Sequence, residues 1–416
     1  MVPNKNHLSS SLTVLAFGIS ILFLIVVVLI LGISSLIDLI NGEGDPAAKL
    51  IGAAGFSFEI ILLFICGRFV LQKAMGREPA DLPFRFPFAD WQLLVVTGLV
   101  VFAVLAGGLI AYAEIAWLGW LTLPILTLLV IVPPIWLLFG YGSRGLEAGP
   151  RWRVFAVFGL SMTVGPLIMI LLEVILLFGI IVFGLVILAV IEPPMFKDFL
   201  QIAEILQVET NQEVILDMLA PYISNPMIIT VGIGYIAILV PIIEELLKPI
   251  GVWLFALKLE SPAQGFVLGM VSGAGFAIIE SLNASADGSV GWPVIVTVRA
   301  GTSILHMTTS GLVGWGIAFA FKEKRIGRLI AAFSSAVLVH GVWNAAAAGT
   351  GLSAIGESIG KPEWIFNYIP AFLCGLLVMG LGMLAVMFAS NRKLRTNPVP
   401  PPQIEVKKEE EVKYPS

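Results

Sequence analysis

Long apolar runs, separated by short turns rich in charge, Pro or Gly, set the pattern of this chain. The first four cover roughly 12–33, 50–71, 91–112 and 116–140, and five more follow at roughly 226–257, 264–282, 294–321, 328–348 and 366–390. Most match or exceed the roughly 18 consecutive apolar residues that mark a membrane-crossing helix. Between 140 and 226 lies a fifth run, Val154 to Ile191. It would be about 57 Å long as one helix, too long for one upright span. It therefore tilts, projects from the bilayer, or bends near Gly165-Pro166. Leu12 to Ile33 is longer than a signal-peptide core and lacks a small-residue cleavage site, so it reads as an uncleaved first span.

Loop charge supports the count. Segments near Arg68–Arg85, Arg144–Arg153, Lys258, Lys322–Arg328 and Arg392–Arg395 are basic, whereas Asp38–Asp45, Glu192–Asp217, Asp287 and Glu357–Glu363 are mostly acidic. The two kinds alternate if the fifth run crosses once. The positive-inside rule then puts both termini in the cytoplasm. The expected fold is an all-α, polytopic transmembrane bundle of about ten spans in the cell membrane. The pattern divides it into an N-terminal transmembrane region (1–192), an extracytoplasmic loop (193–225), a second transmembrane region (226–390) and a disordered cytoplasmic tail (391–416). Within the loop, Phe199, Ile202, Ile205 and Leu206 have helical spacing and predict an amphipathic helix at the outer surface.

Composition narrows the function. Of 416 residues, 58% are hydrophobic and 12% charged, and the mean hydropathy is +0.98. The net charge of −4 gives nucleic acid no foothold. Cys66 and Cys374 both fall in apolar runs, which leaves no disulfide framework and no cysteine-based zinc site.

Against this background a few polar residues stand out. Glu244 and Glu245 are adjacent in Val240-Pro241-Ile242-Ile243-Glu244-Glu245-Leu246-Leu247-Lys248. An ionisable side chain at bilayer depth costs about 2.5–3.5 kcal/mol on insertion scales, which marks it as functional by default. Glu244 and Lys248 share a helical face, while Glu245 projects about 100° away, so the two carboxylates take different roles. The next span ends in Phe276-Ala277-Ile278-Ile279-Glu280, with small residues at Gly269, Ser272, Gly273 and Gly275 that admit a close neighbour. Arg299 and His306 share a face of the following span, and Arg299 is within reach of Glu280. His340 and Asn344 lie one turn apart on the ninth. Counted from the inner ends, Glu244, Glu280, His306 and His340 come out roughly 18–24 Å deep, at one level.

A carboxylate and an imidazole at one level can deprotonate water, and a second imidazole with an Asn amide can stabilise an oxyanion. That chemistry hydrolyses a peptide bond without a Ser or Cys nucleophile. Zinc, held by Glu244, His306 and His340, is the alternative source of activated water. The His-Glu-x-x-His helix of common metalloproteases is absent. The metal-free reading is therefore the expectation. A proton- or ion-coupled transporter built on buried carboxylates such as Glu59 and Glu173, and a non-catalytic scaffold, are the competing classes. Glu59 and Glu173 themselves are expected to be hydrogen-bonded packing residues.

Glu244-Glu245-x-x-Lys248, Phe276-x-x-x-Glu280, Arg299 to His306, and His340-x-x-x-Asn344 follow one another on four consecutive spans. In this order they resemble the PrsW family of intramembrane proteases, relatives of the CAAX-prenyl protease and bacteriocin-processing membrane proteins. The resemblance covers roughly Pro226 to Ala348. It implies a glutamate-dependent intramembrane endopeptidase, of a class once described as metalloproteases, acting on a membrane-anchored protein. The founding role in that family is cleavage of an anti-sigma factor on its extracytoplasmic side, which starts a stress response. Carried over, the resemblance makes Glu244 the general base with Glu245 as its partner. Glu280 and His306 then position the water, His340 and Asn344 form the oxyanion site, and Lys248 and Arg299 support them. CAAX-type enzymes carry a histidine where this chain has Glu280, which favours PrsW.

Overall fold

The structure is a computed structural model and describes residues 5–396 apart from 43, 114, 210, 286–287 and 360–367. The region 397–416, most of the expected disordered tail, lies outside the described residues, as do Asp287 and Glu363. No strand occurs among the described residues, and ten helices are long and apolar enough to cross a membrane.

The N-terminal spans are α1 (Lys5–Asn41), α2 (Pro46–Ala74), α3 (Gln92–Ala113) and α4 (Ala116–Gly142). The fifth run breaks as its Pro predicts. Pro166 has no N–H to offer the carbonyl of Met162, and the chain leaves helical geometry at Thr163 (φ −126, ψ −81). The break separates α5 (Arg151–Met162), which is largely buried, from α6 (Val164–Ile191). The following segment forms two helices, α7 (Pro193–Ile205) and α8 (Gln212–Ile223); only the first was announced by apolar spacing.

The next span is broken where the chemistry sits. It runs as α9 (Pro226–Gly234), a π-helical turn (Tyr235–Leu239), α10 (Val240–Leu247) and α11 (Ile250–Leu254). Pro241 explains the π turn. It cannot donate to the carbonyl of Ala237, so the α-helical ladder is interrupted there. The loosened backbone is met by α14 (Ile326–Ile359). Asn344 Nδ2 donates to the Ile236 carbonyl (3.1 Å), and Gly341 packs so close that an added Cβ would be 2.1 Å from the Ala237 oxygen. Pro249 then ends α10.

The centre of the bundle is α12 (Pro262–Ala284) packed on α13 (Trp292–Lys322), with α15 (Ile369–Thr396) outside α14. Ser261 caps α12 by accepting from Gln264 N (3.1 Å). The small residues of α12 do what their spacing predicts. An added Cβ at Gly265, Gly269 or Gly273 would fall within 2.4 Å of the Gly314, Ser310 or His306 carbonyl oxygen. Glycine there brings the backbones of α12 and α13 together. Gly273 thus backs directly onto His306.

Candidate active site

Four helices deliver one buried polar cluster. α10 brings Glu244, Glu245 and Lys248, α12 brings Glu280, α13 brings Arg299 and His306, and α14 brings His340. The equal depths inferred from residue counting correspond to real contact.

Lys248 is the hub, with its side chain fully buried. Its Nζ lies 2.8 Å from Glu244 Oε2, 3.0 Å from Glu245 Oε1, 2.9 Å from His306 Nδ1 and 3.3 Å from His340 Nδ1. It also sits 4.5 Å above the Phe276 ring centroid. Its own backbone is pinned, since Ser272 Oγ donates to the Lys248 carbonyl.

The two adjacent carboxylates part company, as their angular separation requires. Glu245 is fully buried, and its Oε1 accepts from Lys248 Nζ, His340 Nδ1 (2.8 Å) and Thr309 Oγ1 (3.1 Å). Glu244 keeps 11% of its side chain exposed, pairs with Lys248, and has Oε2 3.5 Å from His340 Nε2. Glu245 is the anchored member and Glu244 the accessible one.

The partners also assign the imidazole protons. Glu280 Oε2 lies 2.5 Å from His306 Nε2, and a carboxylate can only accept, so the proton is on Nε2 and the Nδ1 lone pair faces Lys248. Glu245 faces His340 Nδ1, which therefore carries the proton and leaves the Nε2 lone pair beside Glu244. The site thus holds two carboxylate–imidazole pairs, with the rings 5.5 Å apart and edge to face. Arg299 Nη1 lies 2.9 Å from Glu280 Oε1, the pairing anticipated from sequence. Asn344 stands at the edge, with one amide proton spent on the π turn.

Glu173 is the residue that sequence reasoning set aside. Met169 packs with Ile243 and Phe276, and Glu173 lies one turn beyond it on α6, as Glu280 lies one turn beyond Phe276 on α12. Its Oε1 is buried without a hydrogen-bond partner, and the charges of Glu244, Lys248 and Glu280 act on it. Tyr235 of the π turn donates to its backbone carbonyl (2.9 Å). The signal was present: Glu173 is the sole charged residue between Val154 and Ile191. Glu59, by contrast, is a hydrogen-bonded packing residue, accepting from Asn283 Nδ2 (3.3 Å).

Could a metal be held here? Glu244, His306 and His340 each offer one ligand atom, all within 4.8 Å of one another. One carboxylate and two imidazoles is the donor set of many catalytic zinc sites, and each imidazole has a carboxylate behind its other nitrogen, as ligating histidines usually do. The donor chemistry fits a divalent metal. Two cavities, of about 460 and 610 Å³, lie elsewhere, one beside Phe84–Asp90 and the other beside Asp38–Ala47.

Comparison with known proteins gave one family match. The family model described as PrsW family intramembrane metalloprotease matches residues 149–369, from just before α5 to the start of α15, and so includes α6 with Glu173. Neither the curated proteins nor the solved structures gave a match. A family model covering more than half of a chain with ten membrane-spanning helices settles the class: this multi-pass membrane protein belongs to the PrsW family of intramembrane proteases.

Proposed function

We propose that the protein hydrolyses a peptide bond in a membrane-anchored protein, using water activated by Glu244. The observation that carries this reading is the division between the two carboxylates. Glu245 is fully buried with its Oε1 held by three donors, whereas Glu244 keeps 11% of its side chain exposed beside the Nε2 lone pair of His340. A water between Glu244 and His340 Nε2 gives one proton to each as hydrogen bonds. Glu244 takes the proton as the oxygen attacks the carbonyl carbon, then passes it to the leaving nitrogen as the C–N bond breaks. Glu245 holds His340 in the tautomer that presents Nε2, and Glu280 does the same for the Nδ1 of His306. In this proposal His340 acts on the water side of the reaction rather than in the oxyanion role that the family resemblance implied. The second amide proton of Asn344 is the donor left for the oxyanion. Lys248 compensates the charge of the carboxylate pair.

If a divalent metal were bound by Glu244, His306 and His340, it would supply Lewis-acid polarisation and a more acidic water. The positioning roles of Glu245 and Glu280 would be the same.

In the membrane orientation read from loop charge, both termini are cytoplasmic and α7–α8 lie outside, against α6, α9 and α14. The spans α1–α4, with α5 and α6, form the N-terminal region (1–192) and support the region 226–390. A single-span protein with its scissile bond near the outer half of the bilayer is the substrate class; an anti-sigma factor is one such protein. Co-expression with a library of single-span membrane proteins tests this. Processing of at least one member by wild type that disappears in Glu244→Gln and His340→Ala is expected. Identical processing in all three proteins would refute the proposal.

A further inference from the structure

The position of Lys248 bears on the metal question directly. In the tautomers fixed by Glu280 and Glu245, the lone pairs available to a metal are those of a Glu244 carboxylate oxygen, His306 Nδ1 and His340 Nε2. Lys248 Nζ already engages two of these three residues at those atoms, Glu244 Oε2 at 2.8 Å and His306 Nδ1 at 2.9 Å. A zinc ion binds such atoms at about 2.0–2.2 Å, and His306 Nδ1 has a single lone pair, so ion and ammonium cannot share it. Nor can the ammonium step aside cheaply. Its side chain is fully buried, and its other contacts, Glu245 Oε1 at 3.0 Å, His340 Nδ1 at 3.3 Å and the Phe276 ring at 4.5 Å, belong to the same cluster. A divalent ion inserted beside it would bring three positive charges together in a poorly screened interior. The backbone of Lys248 is held as well, by Ser272 at its carbonyl and by its own N–H on the Glu244 carbonyl (2.7 Å).

We propose that Lys248 is the resident cation of this site: a tethered ammonium that holds the place a metal would take and excludes it. The protein keeps the donor set of a metalloprotease, and one lysine converts it into a metal-free site. Removing the ammonium while keeping the apolar stem should expose a Glu-His-His metal site. The inference deepens the glutamate-activated reading, yet its test measures metal and needs no substrate.

The full-length protein is purified with chelator as wild type, Lys248→Met and Lys248→Arg. Zinc alone is then titrated, with bound metal counted by mass spectrometry and Tm followed in parallel. Lys248→Met should bind about one zinc per chain, about 10–100-fold tighter than wild type or Lys248→Arg, on the scale by which one residue of a metal site changes affinity. Its Tm should rise with zinc, while the other two stay indifferent, and His306→Ala added to Lys248→Met should abolish the gain. Should Lys248→Met fold only with zinc present, that too supports the proposal. Wild type that binds zinc as tightly as Lys248→Met overturns it, as does a Lys248→Met protein that gains no zinc. A wild type that excludes zinc yet cleaves nothing would sink the protease mechanism and keep this inference. A wild type that cleaves with stoichiometric zinc would do the reverse.

Discussion

Two regions of this bundle bury carboxylates, and only one makes a site of them. On α2, Glu59 is 1% exposed, with the Asn283 amide as its partner and no ion pair among the described residues. On α10, Glu245 is 0% and Glu244 9% exposed, and both face an ammonium on which two imidazoles also converge. Burial is thus the common feature, and the difference lies in what surrounds it. A lone carboxylate with one amide partner is satisfied and has nothing to exchange protons with. A pair that shares one cation can be divided, one member anchored and the other left reactive. The surrounding packing differs too. In the most apolar stretch of α12 89% of the residues are buried, in that of the α5–α6 span none, so the polar cluster lies between the most enclosed span and a little-enclosed one.

That contrast can be broken at several points. The largest effect is expected from His340→Ala, which removes the lone pair beside Glu244 and a donor to Glu245. Cleavage should fall by about 10²–10⁴-fold, the range for a general acid–base group, as measured on a reconstituted single-span substrate. Next comes Gly273→Ala, whose Cβ would meet the His306 carbonyl oxygen at 2.3 Å. Forcing α12 from α13 should cost about 1–3 kcal/mol of stability, read as a lower unfolding midpoint in detergent, with cleavage reduced because His306 moves. Glu173→Leu removes an unpartnered carboxylate oxygen at the rim. KM should rise about ten-fold with kcat little changed, the loss of one hydrogen bond to substrate, and Glu173→Gln should recover most of it. The smallest effect belongs to Glu59→Gln, which keeps a partner for Asn283. Cleavage should stay within about three-fold of wild type, less than one net hydrogen bond is worth.

Much of this was legible in the sequence, for physical reasons. The cost of polar groups in lipid makes spans long and uniformly apolar, so ten of them could be read directly, and Pro166 announced the break between α5 and α6. The same cost made Glu244, Glu245, Lys248, His306 and His340 conspicuous, and a place near the same end of adjacent spans put Arg299 within reach of Glu280. Contacts between helices were less accessible. Pro241 was visible, but the π turn it permits depends on Asn344 and Gly341 arriving from α14. The tautomers of His306 and His340 follow from which nitrogen meets a carboxylate, which no spacing encodes. Glu173 was discounted because it lies before Pro226, outside the stretch that carried the resemblance, and the charged groups near it are on helices distant in sequence.

The central claim, that Glu244 is the reactive carboxylate and the cluster around it the proteolytic site, is tested most directly by one side-by-side measurement. A single-span substrate processed by wild type is reconstituted in proteoliposomes, and its initial cleavage rate is measured with wild type, Glu244→Gln and Glu59→Gln. Near wild-type cleavage by Glu59→Gln, with Glu244→Gln reduced by about 10²–10⁴-fold, is the predicted result. Cleavage by Glu244→Gln at the wild-type rate would contradict the account.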